Sequence, residues 1–333
     1  MQRKFKKHVN HGKTNSKDSS IKLNKGKIKK WFMGSKDKEG VIKQLVVYIL
    51  LISIGFIYLY PLLYMVSKSF MDKSDILDTS IMWIPSTFYT KNYFDAFRAM
   101  KFIEALKDSI IVSGIPTIIN ICICAIVGYG FARFEFPGKK ICMGILIVSF
   151  IIPPQITMMP NYVLYNDLKI LESLKAFIIP SLLGQGLKAQ LFILIFYQFF
   201  RQIPQALIEA AKIDGCGNFK SFFKIAIPSA APAILVVFLF SFVWYWNESY
   251  LTQLFVSGMS GGGALRTLVV ALSSFNESYG ATAGTVTGES LGSLNEGIKM
   301  AATMLSILPL LIMYFILQRY FIESIDRTGI TGE

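Results

Sequence analysis

The stretch that decides how this chain folds runs Ile203-Pro204-Gln205-Ala206-Leu207-Ile208-Glu209-Ala210-Ala211-Lys212-Ile213-Asp214-Gly215. It continues through Cys216 to Lys224 and closes Ile225-Ala226-Ile227-Pro228. Pro204 suits the first turn of a helix, where its missing N–H costs nothing. Ala206, Leu207, Ala210 and Ala211 then share one face at helical spacing. Asp214-Gly215 supplies a break, since glycine enters the left-handed region cheaply. Asn218 is placed to cap a second short helix, and Pro228 marks the start of the next apolar stretch. The pattern describes a helix–turn–helix whose small-residue face another protein can approach closely. A plain amphipathic connector would give the same local pattern, so the surroundings decide.

Those surroundings are built for lipid. Of 333 residues, 53% are hydrophobic and only 17% charged, against about a quarter charged in an ordinary soluble domain. A membrane helix needs roughly 20 mainly apolar residues. Six stretches meet that need, at about 44–66, 106–131, 141–160, 177–200, 229–251 and 299–320. The first is too long for a signal-peptide core and lacks a small-residue cleavage site, so it reads as a retained span. Proline and glycine recur inside the spans, and membrane helices tolerate them where neighbours satisfy the freed backbone. Pro153-Pro154, Pro160 and Pro180 make the third and fourth spans the least regular. The expected fold class is an all-α integral membrane protein with six transmembrane helices.

Charge sets the orientation. The net charge is +13, and fourteen Lys/Arg crowd between Arg3 and Lys43 against three acids. A basic tail beside apolar segments belongs in the cytoplasm, where it can rest on anionic lipid. The short turn Arg133-Phe134-Glu135-Phe136-Pro137-Gly138-Lys139-Lys140 and the segment holding Arg201, Lys212, Lys220 and Lys224 are expected on the same side. An even span count then puts both termini in the cytoplasm. Nucleic acid is a poor partner, because the tail offers only Phe5, Trp31 and Phe32 for stacking.

Several chemistries drop out. Cys122, Cys124, Cys142 and Cys216 form no disulfide framework; the pair in the second span reads as small buried hydrophobes. The only histidines, His8 and His11, lie in the tail. The spans offer no histidine-ligated metal site and no pair of aspartates, and no Gly-x-Ser-x-Gly occurs, so an intramembrane enzyme is disfavoured. No metal and no cofactor is expected. An ion-coupled secondary transporter would show duplicated halves with acids at mid-membrane, which these six spans lack. With no G-x-x-x-x-G-K-[ST] sequence, the chain is not expected to hydrolyse ATP itself.

The Ile203–Pro228 stretch resembles the EAA motif of bacterial ABC import permeases. Glu209-Ala210-Ala211, Gly215, Ile225 and Pro228 fall at the motif's spacing, with Ile227 where leucine is more usual. The turn at Arg133–Gly138, Trp246-Asn247, Arg266-Thr267-Leu268 and Gln318-Arg319-Tyr320-Phe321 are similar to the carbohydrate uptake transporter-1 branch, the maltose-type permeases. The resemblance runs from about Val41 to Gly332. The long Lys-rich tail, the Gly/Ser/Thr-rich stretch from Val256 to Lys299 and the terminal Gly329-Ile330-Thr331-Gly332-Glu333 depart from it.

The resemblance implies a type I ABC importer permease fold in the bacterial cell membrane, forming half of a translocation pore. It implies a second six-span permease as heterodimeric partner, two cytoplasmic ABC ATPases, and an extracytoplasmic sugar-binding protein. Lys-, Ile- and Asn-rich usage hints that the last is lipid-anchored. Under this reading Glu209, Ala210, Ala211, Asp214, Gly215, Ile225 and Pro228 form the ATPase-coupling segment, and a sugar or oligosaccharide is the solute, with a non-sugar solute as the alternative. The expected layout is a basic tail over 1–43, a permease domain over 44–325 and a cytoplasmic end over 326–333. Within the domain lie the coupling loop at 201–228 and an extracytoplasmic loop at 252–298.

Two further places attract notice. Lys188 sits inside the fourth apolar stretch, where a charge must face protein or water, and it either lines the solute path or snorkels to the interface. Trp246 and Asn247 could stack on and hydrogen-bond a sugar, or simply join an interfacial belt. Reporter fusions test the topology: those after Lys30, Lys140 and Gly217 should all report the cytoplasm, and those near Asp78 and Asp167 the opposite side. A fusion at Gly217 reporting outside would break the six-span order.

Overall fold

A computed structural model describes residues 34–35, 38–39, 41–213, 215–258, 265–277, 279 and 295–330. The basic tail before residue 34, Asp214, the middle of the 252–298 loop and the last three residues lie outside the described residues. The chain divides into two compact units, Met1–Tyr64 and Met65–Glu333.

In the first unit, a two-residue antiparallel ladder pairs Gly34–Ser35 with Lys38–Glu39. The helix α1, Val41–Ser69, begins two residues later, carries Pro61 without a break and belongs to this unit as far as Tyr64. Its apolar side chains are turned outward, with Ile52 70%, Ile57 68% and Tyr58 80% exposed. A helix that exposes isoleucines in this way is stable only with lipid or another apolar surface as its solvent.

The regular elements of the second unit are helices among the described residues. Its named helices are α2 (Lys91–Ala99), α3 (Phe102–Arg133), α4 (Lys139–Ile151), α5 (Pro154–Asp167), α6 (Lys175–Leu182) and α7 (Ala189–Gln202). There follow α8 (Gln205–Ile213), α9 (Asn218–Ser229, with a π turn at Phe222–Ala226), α10 (Ala231–Asn247), α11 (Leu268–Ser273) and α12 (Glu296–Ile330). The central element is α3, whose 32 residues span about 48 Å at 1.5 Å per residue. It packs against α6, α7 and α10. Its buried face is made of small groups, Ser109, Ser113, Thr117, Cys124, Ala125 and Gly128, and small residues are what let membrane helices approach closely. At Gly128 the approach is tightest: an added Cβ would lie 2.6 Å from the Phe196 Cβ.

Three buried clusters follow. Tyr129, Phe192, Phe196, Phe200, Phe222 and Val237 fill the space between α3, α7, α9 and α10. Ala96, Met100, Trp246, Leu268 and Ala301 join α2, α10, α11 and α12. Val112, Phe177, Tyr245 and Phe255 form the third.

The apolar stretches appear as helices, but less simply than expected. Three helices are long and apolar enough to cross a membrane alone, Ile42–Ser69, Phe102–Arg133 and Glu296–Tyr320. Three bent pairs meet the same requirement, giving up to six crossings. The third stretch is α4 and α5, bent by 98° between Ile151 and Pro154, because Pro153 and Pro154 remove two backbone donors in a row. Pro160 and Pro180, by contrast, sit inside α5 and α6 without breaking them. The fourth stretch is not one helix over 177–200; α6 ends at Leu182 and α7 begins at Ala189. The glycines mark this break, with Gly184 at φ +72. The fifth is α10, which leaves α9 of the preceding loop at a bend of 73° and ends at Asn247 rather than 251. The cysteine pair of α3 splits, Cys124 buried and Cys122 exposed, since residues two apart point to different faces of a helix.

Gly128→Val should prevent α3 and α7 from closing, at an overpacking cost of about 1–3 kcal/mol. Gly130→Val, where an added Cβ meets nothing within 4 Å, should be tolerated. Thermal unfolding in detergent should show a clearly lowered midpoint for the first variant only.

Candidate coupling loop and membrane cavity

The Ile203–Pro228 stretch folds as a helix–turn–helix. α7 stops at Gln202, where Ile203 turns extended (ψ 124), as a residue before proline prefers. α8 then runs Gln205–Ile213, and the Cys216 amide donates to the Ala211 carbonyl at 2.8 Å. Gly215 has φ +79 and an empty space where a Cβ would point. Its requirement is therefore backbone freedom, not room. The cap of α9 differs from expectation: Gly217 occupies the N-cap position and makes no side-chain cap bond, while Asn218 is the first helical residue.

The expected small-residue face is divided. Ala206, Leu207, Glu209 and Ala210 are exposed, whereas Ile208 and Ala211 are buried at 7% and 8%. Glu209 accepts a hydrogen bond from Gln205 Nε2 one turn earlier, at 3.2 Å. Ile225 is half-buried in the π turn and Pro228 is exposed. Asp214 lies outside the described residues. Large apolar groups stand free around the turn, Ile213 86%, Phe219 85%, Phe223 63% and Leu207 52% exposed. An apolar patch of this kind marks a surface that another molecule covers.

The loop is tied to α3. Arg133, the last residue of α3, donates from Nη2 to the Ile203 carbonyl at 2.5 Å, supplying the partner that the end of α7 lacks. Tyr129 on α3 meets Phe200 of α7 at 5.3 Å and Phe222 of α9 at 4.9 Å between ring centroids. In the sequence Arg133 stands only as part of a basic turn, and Tyr129 and Phe222 carry no signal of their own. Nothing in spacing joins positions about 70 and 93 residues apart.

A second feature lies within the helices. A cavity of about 370 Å³ opens between α5, α6 and the α6–α7 break, lined among others by Asn161, Tyr165, Gln185, Lys188, Gln190 and Tyr245. The break is held by a buried polar network. The Tyr245 hydroxyl sits 2.9 Å from Ser181 Oγ and accepts the Leu187 amide at 3.0 Å. Asn120 Nδ2 donates to the Leu187 carbonyl at 3.2 Å. Both backbone polar groups of Leu187 are thus satisfied by side chains from α3 and α10, as a break in lipid demands. Gly186 permits the crowding, since a Cβ there would lie 2.7 Å from Ser181 Oγ. Lys188 follows at φ +55, exposed, with its ammonium 5.8 Å from the centre of the Trp244 ring.

Of the three residues suggested for a solute path, only Lys188 lines this cavity. Trp246 is 3% exposed and packs with Phe242 at 5.7 Å between ring centroids, as core and not as a belt. Asn247 is exposed at the end of α10 and does not line the cavity. Asp108, near the start of α3, accepts the Arg266 amide at 2.8 Å, and Ser109 accepts the Leu268 amide at 2.8 Å. The Arg266-Thr267-Leu268 run is therefore pinned to α3. Among the described residues no cluster of His, Cys, Asp and Glu could hold a metal.

Residues 121–327 match the family described as the binding-protein-dependent transport system inner membrane component. The chain belongs to this family. Members are membrane subunits of transport systems rather than enzymes, and this permease is a multi-pass membrane protein. It is 26% identical over 316 residues to the "Probable ABC transporter permease protein YurM" of Bacillus subtilis, covering 95% of each chain. It is also 26% identical to the arabinooligosaccharides transport system permease protein AraQ of Halalkalibacterium halodurans, covering 84% of this chain and 93% of the relative. Among solved structures, a bacterial ABC transporter involved in the import of the acidic polysaccharide alginate matches with a TM-score of 0.67 and 19% identity. That match covers 84% of this chain and 96% of the other. The permease thus has the fold of an ABC importer subunit.

Tyr245→Phe removes the hydroxyl shared by Ser181 and Leu187, leaving a buried amide without its acceptor, at a cost of about 1–3 kcal/mol. The purified permease should unfold at a lower temperature than wild type, while Tyr314→Phe, at an exposed position, should not shift.

Proposed function

We propose that this permease forms half of the pore of an ATP-driven importer for sugars or oligosaccharides. A second six-span permease completes the pore as a heterodimer, two cytoplasmic ABC ATPases hydrolyse the ATP, and an extracytoplasmic, lipid-anchored binding protein delivers the solute. Both termini lie in the cytoplasm, and the basic tail over 1–43 rests on anionic lipid. The 252–298 loop faces the binding protein. The sugar assignment is supported by similarity to an arabinooligosaccharide permease together with the Arg133–Gly138 and Trp246-Asn247 runs quoted above.

The observation that carries the coupling role is the pairing of a left-handed Gly215 with exposed Ile213 and Phe219 on either side of it. On a cytoplasmic loop, two bare apolar side chains bracketing a sharp turn form a knob suited to a groove on another protein. Glu209, Ala210, Ala211, Asp214, Gly215, Ile225 and Pro228 make up the segment. Within it Ala210 leaves room for close approach and Ala211 anchors α8 inward. The loop's tie to α3 through Arg133 gives a route by which ATPase movement reaches the helices, a rigid-body switch of the hinge kind.

Gly215→Val forces a β-branched residue into the left-handed region, costing roughly 1–2 kcal/mol and redirecting α9. Sugar uptake should be abolished while the permease still inserts, and ATPase subunits should co-purify poorly. Glu209→Ala should give only an intermediate defect, since an exposed charge pair contributes about 0–1 kcal/mol. Normal uptake and ATPase retention in Gly215→Val would reduce the segment to a connector.

A further inference from the structure

The cavity beside the α6–α7 break has a chemical bias that the family assignment does not explain. Its lining includes one cation, Lys188, and no aspartate or glutamate. Among the described residues no carboxylate pairs with that ammonium; its one contact of note is the Trp244 ring, 5.8 Å away. The backbone at this position is also constrained. Lys188 adopts φ +55, a conformation that costs a non-glycine residue of order 1–3 kcal/mol and persists only where its surroundings impose it. They do so through Leu187, whose amide is bonded to Tyr245 and whose carbonyl is bonded to Asn120. The backbone entering Lys188 is therefore clamped from two helices.

The remaining polar lining of the cavity is neutral. Gln190 Nε2 donates to Gln185 Oε1 at 3.2 Å, and Asn161 and Thr157 come from the facing side of α5. The volume of about 370 Å³ falls within the range of small-molecule sites, about 300–1,000 Å³. Amides and hydroxyls suit sugar hydroxyls, but a neutral sugar offers the exposed Lys188 ammonium no charge partner. A carboxylate would compensate it with a charge-assisted hydrogen bond.

We propose that the solute carried by this permease is an acidic sugar, an oligosaccharide containing uronic acid residues, and that Lys188 is the counter-ion of its carboxylate. The inference rests on the reading of the chain as a sugar importer subunit and adds the class of sugar. An anionic lipid headgroup offers the same negative charge, but the ring of amides and hydroxyls favours a polyhydroxylated ligand over an acyl lipid.

The test uses cells expressing the complete transporter and measures uptake of oligogalacturonates beside neutral galacto-oligosaccharides, by mass spectrometry of the cell contents. Wild type should take up the acidic series, and Lys188→Gln should lower that uptake about tenfold, the expected scale for losing one charge-assisted hydrogen bond. Lys188→Arg should restore most of it. Rescue by arginine, which keeps the charge and changes the shape, is what a counter-ion gives and a merely structural lysine does not. Acidic uptake insensitive to Lys188→Gln, or uptake confined to neutral sugars, would overturn the inference and leave the sugar-importer reading intact. Uptake of neither series would overturn both. Retention of anionic lipid by the purified wild type and its loss in Lys188→Gln, with sugar uptake unchanged, would assign the ammonium to lipid instead.

Discussion

The backbone N–H and C=O of Leu187 are the point on which the membrane-embedded architecture turns. A broken helix in lipid exposes amides and carbonyls that no solvent can satisfy, and each costs several kcal/mol if left bare. Here Tyr245 from α10 and Asn120 from α3 take the amide and the carbonyl, while Gly186 withdraws its side chain to let the two hydroxyls of Ser181 and Tyr245 meet. Three helices are thereby locked around one discontinuity. The cavity lies beside that lock because the break removes a helical turn from where it would otherwise fill space.

A second constraint acts at the other end of α3 and α7. Gly128 lets these helices touch backbone to side chain, and the aromatic rings of Tyr129, Phe196, Phe200 and Phe222 fill the widening gap beyond it. Arg133 closes the seam by donating to Ile203. One long helix thus connects the lock at Leu187 to the loop at Gly215. A displacement of the loop would be passed along α3 as a rigid rod, because close-packed interiors move in discrete steps rather than deforming smoothly.

Much of this was legible in the residues. Apolar runs of about 20 residues announce helices in lipid whatever their neighbours, since the backbone must satisfy itself. Pro153-Pro154 announced a bend, and Gly215 announced the turn. What could not be read were the breaks whose stability depends on remote partners. Gly184 and Gly186 looked like tolerated glycines inside one helix, because the groups that make the interruption affordable, Asn120 and Tyr245, lie more than 50 residues away along the chain. Trp246 looked like an interfacial aromatic for the same reason: its burial is decided by α11 and α12, not by its immediate neighbours.

Composition and local pattern by themselves determined that this chain is a helical membrane protein with a helix–turn–helix loop, since helix formation in lipid and glycine turns are local matters, while the spacing of Glu209, Ala210, Ala211, Gly215, Ile225 and Pro228 carried its resemblance to import permeases. Tertiary structure alone decided which faces of that loop are free, where the fourth apolar stretch is interrupted, and that Lys188 stands at a cavity rather than along a helix side. Those outcomes depend on pairs of residues distant in sequence, whose contacts are set by helix packing and by the need to satisfy every buried polar group.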